Sequence, residues 1–419
     1  MATETTELIH HVLLLLVIVL FTGMLAGKLA ALLKVPDVVL FIAAGMLLGP
    51  GLKLIHEAGA SFTNQFILTL GSALILFDGG RNIRLANLRK VWVTISLLSV
   101  TGVFITVAAV GAAAHYMFGI DWLYALLAAS IIASTDPASI IPVFKQVKIR
   151  DKVRETVESE SAFNDATGSI LTFTILGILV GSGEGFSLGH SAWEFIKTAV
   201  GGILVGAVVA YLIAFITAHE RINLFRHYTT IAMLVTAIGS YTLGDTLHVS
   251  GFMATFTAGL VWGNSRDFRL NMEEYHAEMT HFSENITVIM RKLIFVLLGS
   301  QVNFEILGKY FWPSLAVVLV LMFVARPLTV VASALPDLKA RWTWKELLFM
   351  MWVRETGVIP AALAGMVASL GLKHTDIISS VTFMAILITI LVQASTAGFV
   401  ARRLGLEVQT DTANHPDPV

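Results

Sequence analysis

Apolar residues fall along this chain in long blocks, interrupted by short clusters of charge, glycine and proline. Thirteen blocks stand out, near residues 8–33, 37–50, 62–78, 91–117, 121–144, 154–182, 193–218, 227–245, 249–264, 281–300, 311–336, 346–370 and 376–401. A helix that crosses a bilayer needs about 20 mostly apolar residues. The pattern therefore predicts an all-α polytopic membrane protein with about thirteen transmembrane helices. The N-terminal MATETTELIHH has no basic n-region of the kind that marks a cleaved signal peptide, so the first block is expected to persist as a helix. Residues 1–403 read as one membrane domain, and 404–419 as a short, disordered cytoplasmic tail with no regulatory domain.

Loop charges test the count independently, because cytoplasmic loops collect Lys and Arg. Alternate connections on one side hold 20 basic residues, from Lys28 to Arg403, and the other side holds only Lys53, Lys309 and Lys373. This split predicts an N-terminus outside and a C-terminus in the cytoplasm, with a prokaryotic plasma membrane as the expected setting. Composition agrees: 56% of residues are hydrophobic and 14% charged, where a soluble domain carries about 25% charge. A net charge of -1 argues against a nucleic-acid partner, and the absence of cysteine excludes disulfides, thiolate metal sites and thiol nucleophiles. No P-loop and no HExxH spacing among the twelve His residues is present. Neither ATP-driven pumping, an enzymatic activity nor a cofactor is expected.

The chain also carries a weak internal repeat. FIAAGMLLG at 41–49 echoes FTAGLVWG at 256–263, LILFDGG at 74–80 echoes IFVLLGS at 294–300, and STDPASIIP at 134–142 matches WVRETGVIP at 352–360. Matched blocks are seven apart, an odd number, so the two halves would have inverted topology. Inverted repeats with interrupted helices at matching positions mark secondary transporters.

Three places carry charge where lipid makes it costly. The first is Glu160-Ser161-Ala162-Phe163-Asn164-Asp165. On a helix Glu160 and Asn164 share one face, and Ser161 and Asp165 the adjacent one. Burial strengthens a carboxylate's hold on its proton, which lets a cation compete for it near neutral pH. Asp165 reads as a proton or cation site; the structural alternative is an ion pair, or a helix boundary that leaves it in interfacial water. The second is Ser134-Thr135-Asp136-Pro137, where Pro137 disfavours helix and predicts a break. Freed carbonyls and the Thr135 hydroxyl are hard oxygen ligands for an alkali cation, and Asp136 is placed to cap the next half-helix. The alternative is a proline kink with a capping Asp. The third is Arg354-Glu355, at the matching place in the second half. Arg354 cannot shed its charge and needs a buried carboxylate, for which Asp78 is a candidate. Glu355 either pairs locally or faces a cavity. Arg291 and Lys292 are further interior positives, and Glu160 needs such a partner. Arg326, before Pro327, reads as a kink marker.

These motifs together resemble one family. ESxxND at 160–165, TDP at 135–137, LFDGG at 76–80 and the arginine-bearing stretch before VIPAAL resemble the NhaP-type sodium–proton antiporters of the cation:proton antiporter family, over nearly the whole chain. The resemblance implies a thirteen-helix, NhaA/NhaP-like fold that forms homodimers. It implies a core, with helices near 62–182 and 281–401, that moves like an elevator against scaffold helices near 8–50 and 193–264. It implies that Asp165 binds the ion, with Asn164, Ser161, Thr135 and Asp136 around it, and that the transported alkali cation is held by Asp165, Ser161 and Thr135. It also implies that Glu160 pairs with Arg291 and that Arg354 stabilises the crossing of the two broken helices. Asn164 stands where electrogenic relatives carry a second Asp, so one-for-one, electroneutral exchange of Na+ for H+ is implied. Glu355 departs from the pattern, standing where many members have Gly, which leaves ion choice and pH profile open. K+ in place of Na+ is the near alternative; a sodium-coupled organic-anion symporter and a cation channel are more distant ones.

Overall fold

The computed structural model describes residues 2–33, 35–55, 61–135, 144, 149–180, 188–218, 228–270, 272 and 276–407. Among them the architecture is all-α, with one isolated bridge, Ile149 to Glu407, and no strand. The helices run α1 (Ala2–Leu33), α2 (Asp37–Met46, extended by a π-helical turn over Leu47–Gly51), α3 (Phe62–Arg81), α4 (Leu85–Ser99), α5 (Thr101–Phe118), α6 (Trp122–Ile131) and α7 (Asp151–Val180). They continue with α8 (Leu188–Ala218), α9 (Thr229–Thr246), α10 (Gly251–Gly263), α11 (His276–Ser300), α12 (Phe304–Lys309), α13 (Phe311–Val320) and α14 (Arg326–Ala334). The last are α15 (Trp344–Trp352), α16 (Val358–Ser369), α17 (Thr375–Ile388) and α18 (Ser395–Leu404). π-helical turns over Leu321–Ala325 and Thr389–Ala394 join α13 to α14 and α17 to α18.

Every one of the thirteen apolar blocks coincides with a helix or a run of helices. Among the described residues, six runs are long and apolar enough to cross a membrane by length and composition: Ile9–Leu33, Leu88–Phe118, Asp151–Val180, Ile196–Ala218, Phe311–Ala334 and Thr375–Leu404. Helices α3 and α11 fall outside that set; both carry polar and charged residues, Asn64, Gln65, Asp78 and Arg81 in one and Glu284, Arg291 and Lys292 in the other. Such helices are tolerated in lipid when their polar faces turn to protein.

The fifth and twelfth blocks, matched in the repeat, both lose their helix part-way along. Helix α6 ends at Ile131, ahead of Asp136 and Pro137, which lie outside the described residues. The matching block in the second half ends α15 at Trp352, runs extended through Val353–Gly357 and restarts as α16 at Val358. Arg354 ties the two breaks together, its Nη2 donating to the carbonyls of Ile132 (3.2 Å) and Ala133 (2.7 Å). The π-helical turn after α17 holds the second break from behind: Gln393 Nε2 donates to the Trp352 carbonyl (2.6 Å) and the Thr356 amide to Thr389 Oγ1 (3.0 Å). Backbone groups freed inside a membrane must find such partners.

Packing sorts the helices into two bundles, α1–α3 with α8–α11, and α4–α7 with α13–α18. The blocks near 62–78 and 281–300 pack in the first of these bundles. The reason lies in glycine. A Cβ at Gly45 of α2 would strike the backbone of Val296 on α11, and one at Gly259 of α10 would strike Phe77 on α3. Backbones approach this closely only where small residues face each other, as in membrane helix pairs. These are the repeated segments themselves, each half's FxAG-type block seated on the other half's partner block. The inverted repeat thus becomes a reciprocal exchange of contacts that packs α3 and α11 with α1, α2 and α8–α10.

The tail departs from expectation in part. The Arg150 amide donates to the Leu406 carbonyl at 3.3 Å, so the chain just beyond α18 is anchored to the start of α7. Residues 408–419 lie outside the described residues.

Candidate functional site

Helix α7 owes its polar stretch to the neighbours it meets. Its residues 155–161, and Asn164 and Asp165, are all buried. Asp165 is 1% exposed, with Asn164 and Ser161 at 2%. Beside them passes the chain leaving α6. The Thr135 amide donates to Asn164 Oδ1 (3.1 Å), Asn164 Nδ2 donates to Thr135 Oγ1 (2.8 Å), and Thr135 Oγ1 lies 2.8 Å from Ser161 Oγ. Asn164 thereby uses both ends of its amide on one residue, fixing Thr135 against α7. Further along, Thr172 Oγ1 donates to Ser130 Oγ (3.0 Å), and Gly168 leaves no room for a side chain beside Ser134. The break after α6 is therefore stitched to α7 by hydroxyl and amide groups rather than by charge. The structure brings together four of the expected site residues, Asp165, Asn164, Ser161 and Thr135. The fifth, Asp136, lies outside the described residues.

Glu160 does not pair with Arg291. Its carboxylate is gripped at two points by Arg326 of α14, with Nη1 on Oε1 and Nη2 on Oε2, the latter at 3.0 Å. Arg326 also donates from Nε to the Met350 carbonyl (2.8 Å) and from Nη2 to the Val353 carbonyl (3.1 Å). It therefore locks α7, α14 and the second break into one unit. Arg291 sits in the other bundle, on the α11 face that packs against α2, and pairs with Asp37. Asp78 is likewise not the partner of Arg354: it binds Arg81 (3.1 Å) and accepts from Ser283 Oγ (2.6 Å). Arg354 instead serves the carbonyls of the first break and lies in the field of Arg326, Glu160 and Glu355. The kink reading of Arg326 missed its role. Four donated bonds to buried acceptors were foreshadowed only by the rule that an interior Arg must be neutralised.

Approach to Asp165 differs on its two sides. Ser169, one turn beyond it on the same face, lines a cavity of about 640 Å³ between the bundles. That cavity is walled by α3, α7, α10 and α16 and reaches the exposed Asp245 and His248. On the preceding turn Phe163 meets Phe256 of α10 edge to face, centroids 5.5 Å apart, among Leu76, Ile83, Leu88 and Leu260. A cleft of mostly apolar lining thus opens one turn from the carboxylate, and an apolar cluster packs on the preceding turn.

This geometry has relatives. Residues 15–403 match the transmembrane sodium/hydrogen exchanger family. The chain belongs to that family. It is 32% identical over 411 residues to the Na(+)/H(+) antiporter 1 of Methanocaldococcus jannaschii, covering 92% of this chain and 94% of that protein. It is 29% identical to the K(+)/H(+) antiporter NhaP of Alkalimonas amylolytica, covering 97% of this chain and 69% of the relative. Its fold matches a solved structure of the sodium proton antiporter MjNhaP1 from M. jannaschii at pH 8 with a TM-score of 0.78 and 30% identity, over 94% of this chain and 99% of that one. As an exchanger-family member, the chain is a polytopic membrane protein of a transporter family, and the NhaP-type resemblance of its motifs is borne out.

Proposed function

We propose that this exchanger is a secondary active antiporter that trades Na+ for H+ one for one across a prokaryotic plasma membrane, with Asp165 carrying either ion in turn. The observation that supports this most is the position of Asp165. It is a fully buried carboxylate, next to the Asn164–Thr135–Ser161 network, at the point where α7 meets a broken helix. Thr135 and Ser161 supply neutral oxygens suited to a hard alkali cation. A protonated Asp165 expels the cation and a deprotonated one admits it. Carrying a deprotonated, ion-free Asp165 across would put a net charge into low dielectric, so only loaded states move. Exchange is then obligatory. Because Asn164 is neutral and Glu160 is paired, a single titrating carboxylate accounts for electroneutral stoichiometry.

The bundle of α4–α7 and α13–α18 holds Asp165 and is the moving body in this reading. The scaffold of α1–α3 and α8–α11 forms the homodimer and meets the lipid, with the N-terminus outside and the C-terminus cytoplasmic. The Arg326 and Arg354 contacts make the moving bundle rigid, which an elevator requires. Na+ is favoured because relatives across nearly the full chain bear that name; K+ is the second reading because others are named K+/H+ antiporters. Li+ would be carried with Na+. A channel or an anion symporter would need a continuous pore or a second solute cavity, and neither is needed to explain the site.

The test is ion-dependent proton flux in proteoliposomes, wild type against Asp165→Asn, with Li+, Na+ and K+ compared. Exchange should vanish in the variant. Undiminished exchange by Asp165→Asn would remove Asp165 from the mechanism.

A further inference from the structure

Glu355 is a carboxylate buried in the second break, 2% exposed. Its neighbours explain why a charge is retained there. Four charged side chains are buried together where the two breaks cross: Glu160, Arg326, Arg354 and Glu355. Glu160 and Arg326 neutralise each other at two points. Arg354 spends Nη2 on the carbonyls of Ile132 and Ala133, dipoles that soften its charge without cancelling it. Among the described residues, the charged groups acting on Arg354 are Arg326 on α14, Glu160 on α7 and Glu355 beside it on the same stretch. The π-helical turn behind contributes only the neutral Thr389 and Gln393. Of these four groups, loss of Glu355 leaves two guanidiniums against one carboxylate. That excess would lie on the very strand of chain, residues 132–135, whose Thr135 bonds to Asn164 and Ser161 next to Asp165.

We infer that Glu355 sets the affinity of the Asp165 site for both its proton and its cation, by neutralising Arg354 at the crossing of the breaks. The inference rests on Asp165 being the ion carboxylate. A positive charge left uncompensated there favours bare Asp165 over its protonated form and repels the incoming cation. Glu355 acts through Arg354 and the strand it holds, so it is a positioning residue. It needs no contact with the ion.

The experiment measures Na+-dependent proton flux in proteoliposomes over a graded pH series for wild type, Glu355→Gln, Glu355→Asp, Glu355→Gly and Asp165→Asn. Glu355→Gln should move the active range to lower pH by about half a unit to one unit, as one charge felt across a few residues of buried protein does. It should also raise the Na+ KM at the alkaline end by about threefold or more, the same charge acting on the cation, with kcat less affected. Glu355→Asp should restore both. Glu355→Gly removes the same charge without a side chain to pack, and serves where the glutamine variant does not fold. If Asp165→Asn abolishes exchange and both neutral variants keep the wild-type pH range and KM, the inference is overturned alone. If Asp165→Asn still exchanges, the site assignment fails and takes the inference with it.

Discussion

Glu160 on α7 and Arg326 on α14, 166 residues apart, form a two-point ion pair buried from solvent on both sides. The pair closes a cage, because the same guanidinium also caps the carbonyls of Met350 and Val353. Removing one partner leaves a buried charge and, for Arg326, two unserved carbonyls. Glu160→Gln or Arg326→Ala should therefore cost about 3–5 kcal/mol of stability, read as a large drop in the unfolding temperature of the purified protein. Arg326→Lys should not rescue it, since a lysine cannot form the fork. Arg291→Ala should cost less, because its Asp37 partner keeps 26% of its side chain in contact with solvent. An equal loss at both arginines would contradict the assignment of the structural pair.

That pairing also marks where sequence reasoning stops. Helix positions were legible because lipid permits little but long apolar helices, and Asp165 was legible because a mid-block carboxylate is costly. Which arginine meets Glu160 depends instead on which faces meet. Arg326 directly follows the π-helical turn at Leu321–Ala325. One extra residue in a turn rotates everything after it by about 100° relative to a regular helix, so periodicity from α13 does not predict where Arg326 points. Arg291 meets Asp37 because its helix packs on α2, and no hydropathy signal says which of two apolar bundles a helix joins. The glycines that decide the bundling were already visible as repeat marks. What they touched was not.

Those glycines yield a second prediction. Gly45→Leu and Gly259→Leu should each weaken folding severely, since even a Cβ would collide with the backbone of Val296 or Phe77. Gly239→Ala on α9 has nothing within 4 Å of the added carbon and should be neutral or slightly stabilising. Expression level and unfolding temperature of the three variants would check the contrast. A tolerated leucine at Gly259 would mean that α3 and α10 are not in contact there.

The Thr135–Asn164 exchange of two hydrogen bonds holds the first break in place. Asn164→Ala removes both bonds that Asn164 makes to Thr135, leaving the Ser161 contact, and should raise the cation KM about tenfold or more, the cost of about 1–2 kcal/mol for losing buried hydrogen bonds in a binding site. Thr135→Ser keeps the hydroxyl and should stay near wild type, whereas Thr135→Val keeps the shape without it and should resemble Asn164→Ala. Steady-state flux at graded cation concentration separates the three. A valine variant with wild-type KM would exclude the hydroxyl from the cation's surroundings.

The competition at Asp165 has a sign that flux can read. Lowering the pH fills the carboxylate with protons, so the cation is shut out and exchange falls; raising it deprives the return step of its proton, so exchange falls again. Activity should peak between these limits, and raising the cation concentration should push the acid limb to lower pH, because more cation displaces the proton from one shared group. A protein that bound proton and cation at separate carboxylates would keep its acid limb fixed as cation rises. Measuring the acid limb at several Na+ concentrations, in wild type and in Asn164→Asp, distinguishes the two. The second carboxylate in that variant should broaden the limb and, if both groups load, make exchange respond to membrane potential where wild type does not.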